Sequence, residues 1–425
     1  MKVAGWVRVP GDKSITHRSL LLAAMAKGTS YLGSPLTSLD ARTTARIARL
    51  LGAEVSPLAA GQTVRVQGRG RLSPPSRILH CGNSGTTARL TLGLLAAHRF
   101  SARLTGDASL RRRPMRRVTV PLGMMGARFA ESEHDGLPLG VRGGRLQPLR
   151  YQLPVSSAQV KSALLLAGYA GAVPVSLREP DGRSRDHTER MLRGLGVAVM
   201  EQNGWIEFTP GPRIPRFEMQ VPGDISSAAF LVGAGLLAEG GELGVQAVGL
   251  NPTRTGFLAI LARMGAMVEV EATGDESGEP VGNLLVRPAG LRAVDVRSDE
   301  IAGIIDEIPL LAVLATRAHG VTAFHEAGEL RVKESDRLGL LAANIRAVGG
   351  RAVVEGNDLI IEGGSSPPSG RVTTEGDHRL AMAFSVLGTL PGAKVRVDDP
   401  GCADVSFPDF RMTLNSLRAR QPRGK

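Results

Sequence analysis

Apolar segments of helix length, each with a polar start, recur six times in this chain of 425 residues. They begin at Lys13, Ser84, Ser157, Ser226, Asp306 and Asp377, so the repeat period is roughly 70 to 80 residues. A second series of five lies between them. In it a helix-length segment stops at Gly52, Gly126, Gly196, Gly265 or Gly349, and a short β-prone run follows. Apolar spacing at i, i+3 and i+4 predicts helices, and glycine just past the last apolar position is the left-handed stop. Runs such as TVRVQG, WIEFTP and DLIIEG predict strands bounded by turn residues.

The stretch VPGD occurs twice, at 9–12 and 221–224, each time directly before one of the apolar segments. That duplication divides six units into two groups of three and places the boundary near the second copy. Two similar domains are expected. The first helix of each unit lacks a long polar face, which marks a buried helix. Buried helices that aim their N-termini one way offer backbone N–H groups and aligned dipoles to an anion. Ser14, Ser84, Thr86 and Ser157 would line such a mouth, and a cleft shared by the two domains is the expected site.

Composition narrows the partner. The formal charge is +12, and only seven of 52 basic residues are lysine. An arginine excess attracts anions, but fifteen aromatic residues are few for stacking on nucleic acid bases. Small polyanions suit the chain better. Cys81 and Cys402 have no metal-site spacing. No apolar run reaches the ~18 residues of a membrane span. MKVAGWVR has no leader-peptide character, and a cytoplasmic protein is expected.

Charges then stand where a structural repeat needs none. Lys13 and Arg18 enter the first turns of a helix, where cations oppose the macrodipole unless an anion answers them. Asn83, Gly85 and Thr86 form a glycine-bearing turn into a helix, suited to close approach of a phosphate or carboxylate. Three arginines precede Pro114, two of which we assign to solvent. Ser156, Ser157 and Gln159 are neutral donors at another helix start. Asp306 and Glu307 interrupt an apolar stretch, as a cap or as a buried carboxyl with a raised pKa suited to a base. In RVKESDR, Lys333 and Arg337 would share a helical face beside Glu334, with a bound anion relieving their repulsion. Arg379 opens the sixth apolar helix. Paired guanidinium hydrogen bonds suit carboxylate and phosphate. With no Walker-type loop, metal cluster or Ser-His-Asp set, this inventory points to proton transfer on polyanions without a cofactor.

The stretches GDKSITHR, GNSGTTARL, GDASLRRRPM, SSAQVKSALLLAG, DEIP, RVKESDRL, GDHRLAMA and SFPDF, in that order from residue 11 to 410, resemble the 5-enolpyruvylshikimate-3-phosphate synthases. The resemblance implies an α/β fold of two similar domains, an N-terminal one over 12–223 and a C-terminal one from 1–11 and 224–425, with crossovers near 9–12 and 221–224. Each would have three βαβαββ units around buried parallel helices, an inside-out barrel-like arrangement. It implies transfer of the enolpyruvyl group of phosphoenolpyruvate to the 5-hydroxyl of shikimate-3-phosphate, with release of phosphate, in aromatic amino acid biosynthesis. A monomer acting on small molecules, binding neither nucleic acid nor membrane, goes with it.

Residue by residue, the resemblance implies that Lys13, Ser14, Arg18, Ser157, Gln159, Arg185, Asp306 and Lys333 contact shikimate-3-phosphate. Lys13, Gly85, Arg113, Gln159, Arg337 and Arg379 correspond to the phosphoenolpyruvate cradle. Asp306 corresponds to the proton acceptor at the 5-hydroxyl, and Glu334 and Lys13 to groups that move protons at the enol carbon. Gly85 corresponds to the position where alanine in some relatives crowds glyphosate. Val405 departs from the pattern, because many relatives carry lysine there. Arg113, Arg337 and Arg379 would then carry more of the anion, unless Arg411 reaches in.

Two rivals follow from the same features. Enzymes that transfer enolpyruvate to UDP-N-acetylglucosamine share the six-unit plan, but they pair Lys with Asn where this chain has Lys13-Ser14. They also carry a cysteine in the loop that here reads GDASLRRRP. A basic repeat protein that binds nucleic acid without catalysis is the alternative outside the enzymes.

Overall fold

Six helices have nearly every side chain buried: Lys13–Met25, Gly85–Ala96, Ala158–Gly171, Ile225–Leu236, Ile308–Ala315 and His378–Leu387. They are the six apolar segments of the sequence. Leu20, Leu21 and Leu22 are 0% exposed on successive positions, so neighbours surround this helix on all sides. Burial of each such side chain contributes about 1.5–3 kcal/mol. The computed structural model describes residues 2–130, 134–180 and 183–417. No helix among them is long and apolar enough to cross a membrane.

The chain separates into two compact units. One comprises 11–221 with 275–279, and the other holds residues up to 10, 222–274 and 280 onward. Each has its own hydrophobic core, with three of the six helices at its centre.

In the first unit three four-stranded sheets share one plan: a parallel pair at one edge, extended by an antiparallel hairpin. Glu218–Gln220 runs parallel to Lys27–Gly33, which pairs with Val64–Arg69 and then Glu54–Val55. Leu79–His80, Ser101–Thr105, Leu139–Arg142 and Arg128–Ala130 repeat it, as do Leu149–Gln152, Val175–Arg178, Trp205–Phe208 and Val199–Gln202. Strand burial alternates, as in Val64–Arg69, so each sheet turns one face to the helices and one to solvent.

The second unit repeats the plan from Lys2–Arg8, Gly240–Gly249, Glu279–Val286 and Val268–Glu276, and again from Asp295–Val296, Val321–Phe324, Asp358–Glu362 and Arg351–Glu355. The third βαβαββ repeat expected there is cut short. Ser369–Val372 and Lys394–Val397 form a two-stranded parallel sheet with no hairpin among the described residues, and the helix Phe410–Ser416 follows. The glycine-stopped helices of the sequence number five, and the missing hairpin is the one a sixth would have preceded.

Lys2–Arg8 supplies the first strand for the repeat of the Ile225 helix, and Glu218–Gln220 does so for that of the Lys13 helix. Each VPGD stretch therefore leads from an edge strand of one unit into a helix of the other. Asp12 accepts from Ile15 N at 2.8 Å and Asp224 from Ser226 N at 2.8 Å, so both aspartates cap the helix they open. A Cβ on Gly11 would stand 2.2 Å from Ser34 O, and one on Gly223 would stand 2.8 Å from Val9 Cγ2. Only glycine lets the backbone pass at either place.

Candidate active site

The first unit gathers charge around three helix starts. Lys13 Nζ lies 2.5 Å from Asp40 Oδ2, and the side chains are 18% and 7% exposed. The cation that the macrodipole disfavours is thus answered by a carboxylate of the neighbouring Leu39–Leu50 helix. Arg18 is also buried. Its Nε donates to Thr188 Oγ1 and its Nη2 to Ser162 Oγ, both at 2.7 Å, and Nη1 donates to Ser14 O at 2.9 Å. Burial lowers the Arg18 guanidinium to about 10, opposed by Glu189 and Asp12 and assisted by the positive charge of Arg185.

At the second helix start Gly85, having no side chain, lets three polar groups close on the backbone. A Cβ there would lie 2.9 Å from Arg89 Nη1, 3.4 Å from Arg113 Nη1 and 3.6 Å from Gln159 Oε1. Arg113 is buried, while Arg111 and Arg112 are exposed, which is the division expected of the arginine run. Arg113 Nη2 donates to Asn83 Oδ1 at 2.5 Å. Gln159 donates to Thr86 Oγ1 at 3.0 Å and accepts from Arg89 Nη1 at 2.5 Å. Arg89 stands within a quoted motif, yet sequence reasoning assigned it nothing. Its position four residues into a helix opened by a glycine turn was the available signal.

Ser157 precedes the third helix, and its hydroxyl does not cap it, in contrast to Asp12 and Ser84 at the other two. The first N–H groups of that helix lack the cap its neighbours have. Arg185 is half-buried just ahead of the helix His187–Gly194.

The second unit holds a different cluster. Arg337 is fully buried. Its Nε lies 2.8 Å from Asp377 Oδ2, its Nη2 2.5 Å from Glu334 Oε2, and its Nη1 3.5 Å from Asp306 Oδ1. Nη1 is buried and makes no hydrogen bond. Burial lowers the Arg337 pKa, and Asp377, Glu334 and Asp306 more than offset that, so the net shift is upward. Arg379 Nη1 donates to Asp306 O at 2.9 Å, and its Nη2 lies 3.4 Å from Asp306 Oδ2. Lys333 is half-buried, and desolvation holds its ammonium below its ordinary value against Asp306, Glu329 and Glu334.

Three expectations change here. RVKESDR is not one helix. Lys333 ends the 3-10 segment Ala327–Val332, and Asp336 caps a helix that begins only at Arg337. The compensation for Arg337 comes from protein carboxylates, not from a bound anion alone. Asp306, expected as a cap or a buried carboxyl, is partly exposed and faces two guanidinium groups.

Its neighbour Glu307 points elsewhere. Glu307 accepts from Ser226 Oγ, and Arg254 Nη2 lies 2.5 Å from Ser226 Oγ and 3.7 Å from Asp224 Oδ1. The second VPGD copy, which no basic residue closely follows in sequence, thus acquires a buried ion cluster in space. Val405 ends the 3-10 segment Pro400–Val405, and Arg411 is exposed on the following helix.

Each cluster offers guanidinium donors for an anion, and the second adds carboxylates beside a lysine for proton exchange. Comparison with known proteins agrees with that chemistry. The sequence profile described as EPSP synthase (3-phosphoshikimate 1-carboxyvinyltransferase) matches residues 1–414. The 3-phosphoshikimate 1-carboxyvinyltransferase of Thermus thermophilus is 48% identical over 420 residues, covering 98% of this chain and 96% of that protein. That of Desulforudis audaxviator is 45% identical over 413 residues, covering 96% of each. The solved structure of EPSP synthase from Acinetobacter baumannii is similar at a TM-score of 0.86 and 38% identity, covering 98% of this chain and 96% of that one.

Proposed function

The chain belongs to the EPSP synthase family and transfers the 1-carboxyvinyl group of phosphoenolpyruvate to shikimate-3-phosphate, and on that premise we propose how its residues divide the work. Lys13, Ser14, Arg18, Ser157, Gln159 and Arg185 hold shikimate-3-phosphate, with Asp306 and Lys333 at its hydroxyl side. Each terminal nitrogen of Arg18 keeps a second N–H for the phosphate. Arg113, Arg337 and Arg379 bind phosphoenolpyruvate with Lys13 and Gln159, and Gly85 leaves the room for it.

The 5-hydroxyl oxygen adds to C2 of phosphoenolpyruvate while its proton passes to Asp306. The C3 methylene takes a proton from Lys13 or Glu334, giving a tetrahedral intermediate. Loss of a C3 proton to the same pair and departure of phosphate then restore the double bond. One observation carries the anion assignment: Arg89, Arg113 and Gln159 converge on one helix start, each within 4 Å of where a Gly85 Cβ would stand. The enzyme acts as a cytoplasmic monomer on small molecules, without a cofactor, and binds neither membrane nor nucleic acid.

Phosphate release from phosphoenolpyruvate should require shikimate-3-phosphate. Release with UDP-N-acetylglucosamine in its place would move the enzyme to the sister activity.

A further inference from the structure

Glu179 follows the strand Val175–Arg178, and its side chain is 6% exposed. Its two oxygens accept four hydrogen bonds. Ser157 N at 3.1 Å and Ser184 Oγ at 2.5 Å reach Oε1, and Ser184 N at 3.1 Å and Lys161 Nζ at 3.0 Å reach Oε2. Lys161, 1% exposed, also donates to Ser184 O at 3.2 Å and pairs with Glu189 at 2.8 Å. One buried carboxylate therefore ties the residue that opens the third helix to the segment that carries Arg185.

Stability alone is a poor reason for such a cluster. Desolvation of buried charges offsets much of their attraction, and apolar residues of the same volume often serve as well. Packing is also open on one side of the segment. A cavity of about 200 Å³ lies against Arg183 and Ser184, bordered by Lys161, Glu179 and Glu189. The segment keeps its position through hydrogen bonds, and three of the four at Glu179 go to residues 157 and 184.

We infer that Glu179, balanced by Lys161, is a positioning residue that sets Ser157 and Arg185 at the separation shikimate-3-phosphate requires. This rests on the assignment of Ser157 and Arg185 to that substrate. Glu179 touches neither substrate, so its effect acts through these two groups and falls on one substrate only.

The test is steady-state kinetics of the full-length enzyme with Glu179→Gln, alongside Ser157→Ala and Arg185→Ala. Glu179→Gln should raise KM for shikimate-3-phosphate about tenfold or more, as misplaced donors do. KM for phosphoenolpyruvate and kcat at saturation should stay within about threefold. If Glu179→Gln fails to fold, Glu179→Asp, which keeps the charge beside Lys161 but shortens the reach to Ser157 and Ser184, is measured in its place with the same expectation. Equal rises in both KM values accompanying a fall in Tm would make Glu179 merely structural and overturn the inference. So would an unchanged KM for shikimate-3-phosphate while Ser157→Ala and Arg185→Ala raise it. If those two variants also leave it unchanged, the substrate assignment itself fails, and the inference with it.

Discussion

Arg337 Nε and Asp377 Oδ2 meet at 2.8 Å with neither side chain exposed to solvent. Asp377 also caps the His378 helix, accepting from Arg379 N at 2.9 Å. Asp377→Asn keeps a competent cap but removes the charge that best answers a buried guanidinium. Loss of one partner of a buried pair costs about 3–5 kcal/mol. Urea unfolding should show a fall of that size, and a change below about 1 kcal/mol would mean that Glu334 and Asp306 suffice.

Asp306 lies between Arg337 and Arg379 while Glu307 is committed to Ser226. Asp306→Asn preserves shape and removes the proton acceptor. The expected result is a loss of kcat by about 10²–10⁴ with both KM values within about fivefold. A larger effect on KM than on kcat would reassign Asp306 to binding.

Lys13 and Arg113 are placed on the anions at two helix starts of the first unit. Lys13→Ala and Arg113→Ala should each abolish detectable phosphate release when both substrates are supplied. Turnover near the parent value in either variant contradicts the role given to it.

Gly85 bears on inhibition. Its absent Cβ would meet only the ends of flexible side chains, Arg89 at 2.9 Å and Arg113 at 3.4 Å, so Gly85→Ala should fold normally. Glyphosate is expected to compete with phosphoenolpyruvate in the parent enzyme. Gly85→Ala should raise its inhibition constant by a larger factor than KM for phosphoenolpyruvate. Equal factors, or a parent enzyme insensitive at millimolar concentration, would contradict this.

His17 is buried, with Nδ1 2.6 Å from Thr44 Oγ1 and no hydrogen bond at Nε2. Burial lowers its pKa from 6.5 to about 3. Between those values the unfolded chain binds a proton that the folded chain refuses, so stability is whole above pH 6.5 and falls as pH drops toward 3. The loss is about 2 kcal/mol between pH 6.5 and 5, at about 1.4 kcal/mol per unit. His17→Asn should flatten this part of the stability–pH curve, measured by urea titration at several pH values. Parallel curves for variant and parent would show that His17 does not carry it.

The candidate site was legible wherever a charge broke the repeat. Arg113 separated from Arg111 and Arg112, and Asp306, Arg337 and Arg379 converged from three distant motifs. Asp40, Arg89, Glu179 and Asp377 were not legible as partners. Nothing local marks the residue that answers a charge when the two stand 18 positions apart, as Lys161 and Glu179 do, or further. RVKESDR was misread as one helix because i, i+4 spacing is equally available to a 3-10 turn followed by a capped helix start.

The sequence by itself determined the six buried helices and the strands between them, because apolar period and glycine stops are local properties of the chain. It also marked the candidate site, since a cation at a helix start is anomalous wherever the fold puts it. Tertiary structure alone paired Lys2–Arg8 with Gly240–Gly249 and Glu218–Gln220 with Lys27–Gly33, so that two VPGD stretches with one turn chemistry carry the chain out of each unit in turn. It alone gave the second copy its buried Arg254. Adjacent Asp306 and Glu307 went to different partners for the same reason: neighbouring side chains leave the backbone in different directions, and only packing sets what waits there.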